Sequence, residues 1–545
     1  MPDVCVVGAG PAGIVLALEA AKSGLRTLLV ESGRDRFDPS IQSLGDTPHY
    51  DPVRHGPMAD ATRRQIGGAS VIWGGRVVPF DPIDFDRRPF IDGAAWPLAY
   101  GDVERHFAKA SGYFFTGKPV FSAYQVPTIT QPTIVPGLPD ADVETSTLER
   151  WSLPTNFGRE YRQALSTTPN LEVLSGTTCV EIAADADGRT VTHLECRRTD
   201  GSALQVRARM FVIACGGLET TRLLLASDRR HPGGIGNQGD KLGRYYMGHI
   251  SGKIAKVRFT TPPRKTAYAY HRDEDGVYLR QRFSVTREAQ LREQITNVVA
   301  WLVNPAISDP SHGSGILSFA YLTLSSPLFG RYFVSDAIRK ANVGDHGRTN
   351  TLAHVWNMVR DLPATAAFVP TFAFRRYMLW RKVPGFFVPS RDNCYPLHYH
   401  GEQVPNPASR VTLAHETDRL GLRKLVIDLR FSEQDVQGVL RSHRLWGDHL
   451  RRTQCGALEY TVADPHQAVW EQAADGYHQA GTTRMSRDPA DGVVDEHCRV
   501  HGLNNLFVAS SSVFPTSGQA NSTFMIVVLA IRLAEHLRTN RQTAA

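Results

Sequence analysis

Two polar side chains near the C-terminus have the types and setting that chemistry at an alcohol carbon requires. They are His478, in Tyr477-His478-Gln-Ala-Gly-Thr482, and Asn521, in Gly518-Gln-Ala-Asn521-Ser-Thr523. Taking a hydride from a carbon that bears a hydroxyl calls for a base near neutrality to accept the hydroxyl proton. An imidazole, with an ordinary pKa of about 6.5, suits that task. A carboxamide can hold the hydroxyl or the developing alkoxide without adding charge. Asn521 stands just before the last apolar helix, read over 523–537. It can present its side chain there while the N–H groups at the helix mouth stay free for a carbonyl oxygen. The chain holds twenty histidines, and a histidine beside a glycine-rich turn is more often structural. His249, His398 and His400 are read as structural polar groups, with His249 the nearest to a site residue.

A second chemical signal lies at the other end of the chain. Gly8-Ala-Gly10-Pro11-Ala12-Gly13 joins the apolar run Val4-Cys-Val-Val7 to an Ala/Leu-rich helix. Three glycines at this spacing give a tight turn, close backbone approach to a pyrophosphate, and helix-on-strand packing. The helix start then offers its N–H groups to phosphate. Glu31 ends the next strand, 18 residues past Gly13, with Ser32 beside it. Its carboxylate can accept both ribose hydroxyls and repel a 2′-phosphate. Strand, turn, helix and acid together predict a bound dinucleotide. The motif alone does not separate FAD from NAD; its position at the N-terminus and Pro11-Ala12 favour FAD. No second such unit follows, so reduced FAD is expected to pass its electrons to oxygen, a quinone-like acceptor or another protein.

With these residues in order, the chain resembles the glucose–methanol–choline (GMC) oxidoreductases over most of its length. Gly67-Gly68-Ala-Ser70 resembles that family's second flavin-contacting loop, continued by Trp73 and Gly74. Phe211-Val-Ile-Ala214-Cys-Gly216-Gly-Leu-Glu-Thr-Thr-Arg222 resembles the strand and turn that follow the adenine-contacting strand around Val180. The resemblance implies His478 as catalytic base and Asn521 as its partner at the flavin N5. It places Ser510, Ser511 and Thr523 against the isoalloxazine and ribityl chain. Ser70-Val-Ile72-Trp73, Trp96-Pro97 and the run from Glu402 to Val411 resemble pyranose-oxidase-like and sugar or polyol dehydrogenase members. The implied reaction is oxidation of CH–OH to a carbonyl on a sugar, aminosugar, polyol or glycoside. A bulky amphipathic alcohol such as a terpenoid, sterol or polyketide is the alternative substrate, and a flavin-binding scaffold without turnover the remaining reading. Some members of this subgroup attach FAD covalently through a histidine where this chain has Ile72, so dissociable FAD is expected. Ser522 stands where the subgroup has proline, which is expected to loosen the helix start.

The elements that must position these groups set the fold expectation. With 545 residues, 42% hydrophobic and 21% charged, the chain has globular composition. The expected class is α/β: an FAD-binding Rossmann-like domain with a discontinuous α+β substrate domain containing an antiparallel sheet. Segments 1–100, 160–250 and 466–545 are assigned to the FAD domain, and 101–159 and 251–465 to the substrate domain. A net charge of +7 without a nucleic-acid-reading motif argues against a nucleic-acid partner. Seven scattered cysteines, none spaced CxxC, predict reduced thiols and no metal site. No apolar run is long enough to span a bilayer, and the strand at Val4 leaves no room for a leader, so a cytoplasmic enzyme is expected. Residues 331–388 form a basic, aromatic helical insert with nine Lys/Arg against three Asp/Glu. Its plain reading is a partly buried excursion with a solvated basic face; a lid, an oligomer contact and a membrane-interface seat are the alternatives.

Overall fold

A computed structural model describes residues 1–152, 155–326 and 350–543. The part of the insert from 331 to 349 lies outside the described residues. A five-stranded, all-parallel sheet runs in the order Leu506–Val508, Met210–Ile213, Val4–Val7, Thr27–Glu31, Leu171–Ser175. The central strand is apolar throughout and wholly buried, as a parallel strand covered on both faces must be. Helices Pro11–Lys22 and Thr523–Thr543 pack on each other, so the first and last elements of the chain share one core. A three-stranded antiparallel sheet, Thr177–Ala184, Val191–Arg198 and Ala203–Val206, lies between Leu171–Ser175 and Met210–Ile213 in the chain.

The large antiparallel sheet draws on the rest of the chain, including His249–Phe259, Tyr278–Val285, Val298–Leu302 and Cys394–Glu402. Two short pieces of the first hundred residues join other sheets. Arg76–Val77 pairs with Val143–Trp151 at one end of the large sheet, and His49–Tyr50 runs parallel to Arg423–Asp428. Two separate hydrophobic clusters underlie the two main sheets. His249–Phe259 and Cys394–Glu402 run antiparallel with Ser251 opposite His400 and His249 opposite Glu402. That register carries two histidines to the boundary between the sheets.

Candidate active site

The turn after Val7 is shaped for a close backbone approach. Gly8 has φ +105°, and a Cβ there would stand 2.5 Å from the Ala214 carbonyl oxygen, so only glycine fits. Gly13 sits beneath it against the Gly8 carbonyl. A Cβ on Gly10, by contrast, would meet no protein atom within 4 Å. The helix that starts at Pro11 has no side-chain cap on its first N–H groups. Glu31 is buried, its two carboxylate oxygens accepting from the N–H groups of Ala9 (2.7 Å) and Gly33 (2.8 Å). Its carboxylate is therefore fixed at the lip of the same space.

That space is a cavity of about 1440 Å³, counted to its open mouth. Gly8, Gly10, Pro11, Ala12, Glu31, Ser32, Gly68, Ser70, Trp73, Ala214, Gly216, Ser510, Ser511, Thr523 and His478 line it. Uncapped helix N–H groups, a fixed acid and a glycine-lined wall fit a dinucleotide's phosphates and ribose. Gly67, at φ +102°, shapes the loop from behind. Gly74 is exposed and apart from the lining. Val180 is also apart from it; Thr177, Thr178 and Cys179 of the same strand line the cavity instead. Sequence reasoning also passed over Arg64 and Glu219, which line the cavity as an ion pair, Arg64 donating to Ser32 Oγ at 3.1 Å.

His478 and Asn521 meet directly. Asn521 Nδ2 lies 2.7 Å from His478 Nε2. The other ring nitrogen, Nδ1, is 3.2 Å from Asp475 Oδ2. A carboxylate only accepts, so Nδ1 carries the proton of the neutral ring, and Nε2 offers its lone pair to the amide N–H. Asn521 Oδ1 is buried without a hydrogen-bond partner. The helix behind it begins with Ile526 N–H donating to the Ser522 carbonyl at 3.0 Å.

Asp475 was not read from the sequence, although it stands one helical turn's length, three residues, before His478. Its Oδ1 accepts the N–H groups of Gly476, Tyr477 and His478, and its Oδ2 accepts that of His249 at 2.7 Å. Burial by itself would raise its pKa, but the neighbouring His478 and His249 imidazoles outweigh this and hold it well below the usual carboxylate range. The His478 loop is itself tied down: Met247 and Ala480 exchange backbone hydrogen bonds, and Ser511 Oγ donates to the Gln479 carbonyl.

His249 and His400 stand closer to the chemistry than expected. Their rings stack at 4.4 Å and 25°, and His249 meets the His478 ring edge-on at 4.7 Å. Burial pushes the pKa of both below the ordinary value, so both stay neutral. Ring nitrogens of His249, His400 and His478 lie within 4.8 Å of one another. Because the first two rings are nearly parallel, their in-plane lone pairs run side by side and do not converge on one point. The stack reads as a neutral wall against which Asp475 and His478 are held, backed by Trp301, whose ring has the Arg76 and Arg280 guanidiniums each at 4.5 Å.

Residues 405–530 match the family described as GMC oxidoreductase, and residues 3–37 match the FAD binding domain. Paromamine 6′-oxidase of Streptomyces fradiae is 23% identical, over 98% of this chain and 90% of its own. The fructose dehydrogenase large subunit of Gluconobacter japonicus is 22% identical, over 98% of this chain and 97% of its own. The crystal structure of pyridoxine 4-oxidase from Mesorbium loti superposes with a TM-score of 0.51 at 18% identity, covering 98% of this chain and 99% of that one.

Proposed function

We propose, from the premise that this chain belongs to the GMC oxidoreductases and is an FAD-dependent alcohol oxidoreductase, that its substrate is a sugar, aminosugar, polyol or glycoside. The observation that carries the chemistry is the line Asp475–His478–Asn521, whose last two members meet at 2.7 Å beside the glycine-lined cavity. FAD, when bound, supplies the acceptor for the substrate's hydride. The protein's residues handle the proton. A substrate hydroxyl replaces the direct His478–Asn521 contact, donating to Nε2 and accepting from the Asn521 amide. Nε2 takes the proton, and the Asp475 carboxylate at Nδ1 stabilises the imidazolium that results. The amide holds the oxygen as charge develops on it. The neutral His249–His400 pair adds no competing positive charge.

The carbohydrate reading is supported by the names of two full-length relatives, an oxidase of the aminosugar paromamine and a fructose dehydrogenase. Anaerobic bleaching of the flavin bands by a panel of sugars, aminosugars, glycosides and lipid alcohols tests it. Reduction by hydroxylated sugars or polyols is expected; reduction by lipid alcohols alone would overturn it. Segments 1–100, 160–250 and 466–545 are assigned to FAD, and 101–159 and 251–465 to substrate.

Non-covalent attachment of FAD is part of the same reading. Ile72 has no nucleophilic atom, and of the two thiols in the cavity wall, Cys215 is pushed by burial to about 12 and Cys179 is also raised, so neither is a thiolate. Acid precipitation should leave the yellow colour in the supernatant; colour in the pellet would contradict it. Seven free cysteines, with no disulfide among the described residues, support a reducing, cytoplasmic setting.

A further inference from the structure

The insert presents an amphipathic helix the wrong way round. In Thr351–Arg360 the apolar residues Leu352, Val355, Trp356 and Val359 fall at the i, i+3, i+4, i+7 spacing of a core-facing stripe. All four are exposed, Leu352 by 80% and Trp356 by 65%. The two buried residues of the same helix, His354 and Asn357, are polar. His354 bonds to Ser318 Oγ (3.0 Å) and the Ser308 carbonyl (3.3 Å), and Asn357 donates to the Pro310 carbonyl at 2.8 Å. The exposed apolar surface continues past the next helix, Leu362–Ala373, to Met378 and Trp380. Nine of the fifteen exposed large hydrophobic residues among those described lie between 352 and 380, so the exposed apolar surface is concentrated in this segment and not scattered.

The base of the patch is fixed to the body. Val383 is buried with Trp151 and Tyr278, and Asn304 clamps the backbone of Phe386 and Val388 at 2.9 Å each. On this helix His354 and Asn357 are turned inward and the apolar stripe outward, while Arg360 stays exposed.

We propose that this patch seats the protein on an anionic lipid surface. Residues 350–382 carry five Lys/Arg against one Asp. Arg360 and Arg375 are exposed beside the apolar residues, where long cationic side chains can reach headgroup phosphates while their stems cover apolar surface. Trp356 and Trp380 are the side chains favoured at a membrane–water boundary. A second copy of this chain fits worse, because a symmetric contact would bring the same cations face to face. No described helix is long and apolar enough to cross a bilayer.

Co-sedimentation of the full-length holoenzyme with phosphatidylcholine vesicles, with and without phosphatidylglycerol, tests this. Binding is expected on the phosphatidylglycerol vesicles and little on the neutral ones. Arg360→Gln with Arg375→Gln should weaken it by about tenfold or more, each cation near an anionic surface contributing about fivefold. Trp356→Ser with Trp380→Ser should abolish it. These are surface changes, and retained flavin absorbance confirms that the variants fold. Three outcomes would overturn the proposal: no binding to anionic vesicles, binding unchanged in both variants, or equal binding to neutral vesicles. A dimer seen by light scattering in the wild type and lost in the tryptophan variant would assign the patch to a second copy and overturn it as well.

Discussion

Replacing Asp475 by asparagine tests the tautomer logic of the site. Asp475 accepts through both oxygens, Oδ1 from three backbone N–H groups of its own loop and Oδ2 from His249 N–H and His478 Nδ1. Asparagine keeps one acceptor, which the three loop donors claim, and turns its NH₂ toward His478. The ring must then accept at Nδ1, which moves its proton to Nε2 and removes the lone pair that faces the substrate. The carboxylate also attracts the imidazolium at 3.2 Å; at an effective dielectric of about 20 that attraction is about 5 kcal/mol before relaxation. A carboxylate-to-amide change behind a catalytic histidine costs about 10⁴ in rate elsewhere, and general-base loss about 10²–10⁴. Anaerobic stopped-flow measurement of flavin reduction should therefore show a fall of about 10²–10⁴ in the limiting rate, with FAD still bound. A rate within about threefold of wild type, in a variant that retains flavin, would refute the argument.

Three further outcomes follow from the same structure. Asn521→Ala should lower the limiting rate of flavin reduction by about 10²–10³ in the same assay while leaving FAD affinity unchanged, because the amide acts on developing charge. Glu402→Gln strips the partner from Arg88, which it holds by two 2.6 Å bonds with both side chains fully buried. The loss should be about 3–5 kcal/mol by denaturant unfolding, and an apolar pair at both positions should lose less. His443 is fully buried, and burial lowers its pKa to about 4, so the unfolded chain binds its proton first as pH falls below the ordinary value. Its stability share is lost on acidification, and His443→Gln should narrow the change in unfolding free energy between about pH 7 and about pH 5 by about 2 kcal/mol.

What could be read from sequence was local or ordered along the chain. The phosphate turn declares itself because strand, turn, helix and acid occur within 31 residues. His478 and Asn521 emerged from their order relative to that turn, and the structure brings them to one bond. Asp475 was within reach: an acid three residues before the candidate base is a local signal. The His249–His400 stack was not, because it depends on the pairing register of strands separated by more than a hundred residues. Val180 missed the cavity lining because Thr177, Thr178 and Cys179 precede it along the same strand and take that place. The outward stripe of the insert was not legible in the sequence. An apolar stripe at helical spacing normally faces inward, but here buried His354 and Asn357 satisfy their polar atoms on Ser308, Pro310 and Ser318 and fix the opposite face outward.

The central claim is that the His478 imidazole takes the hydroxyl proton. Its most direct test is the anaerobic single-turnover rate of flavin reduction in His478→Ala, measured with whichever alcohol bleaches the wild type fastest. The account predicts a yellow, FAD-loaded protein whose reduction is slowed by about 10²–10⁴. Bleaching at the wild-type rate in that variant would contradict it.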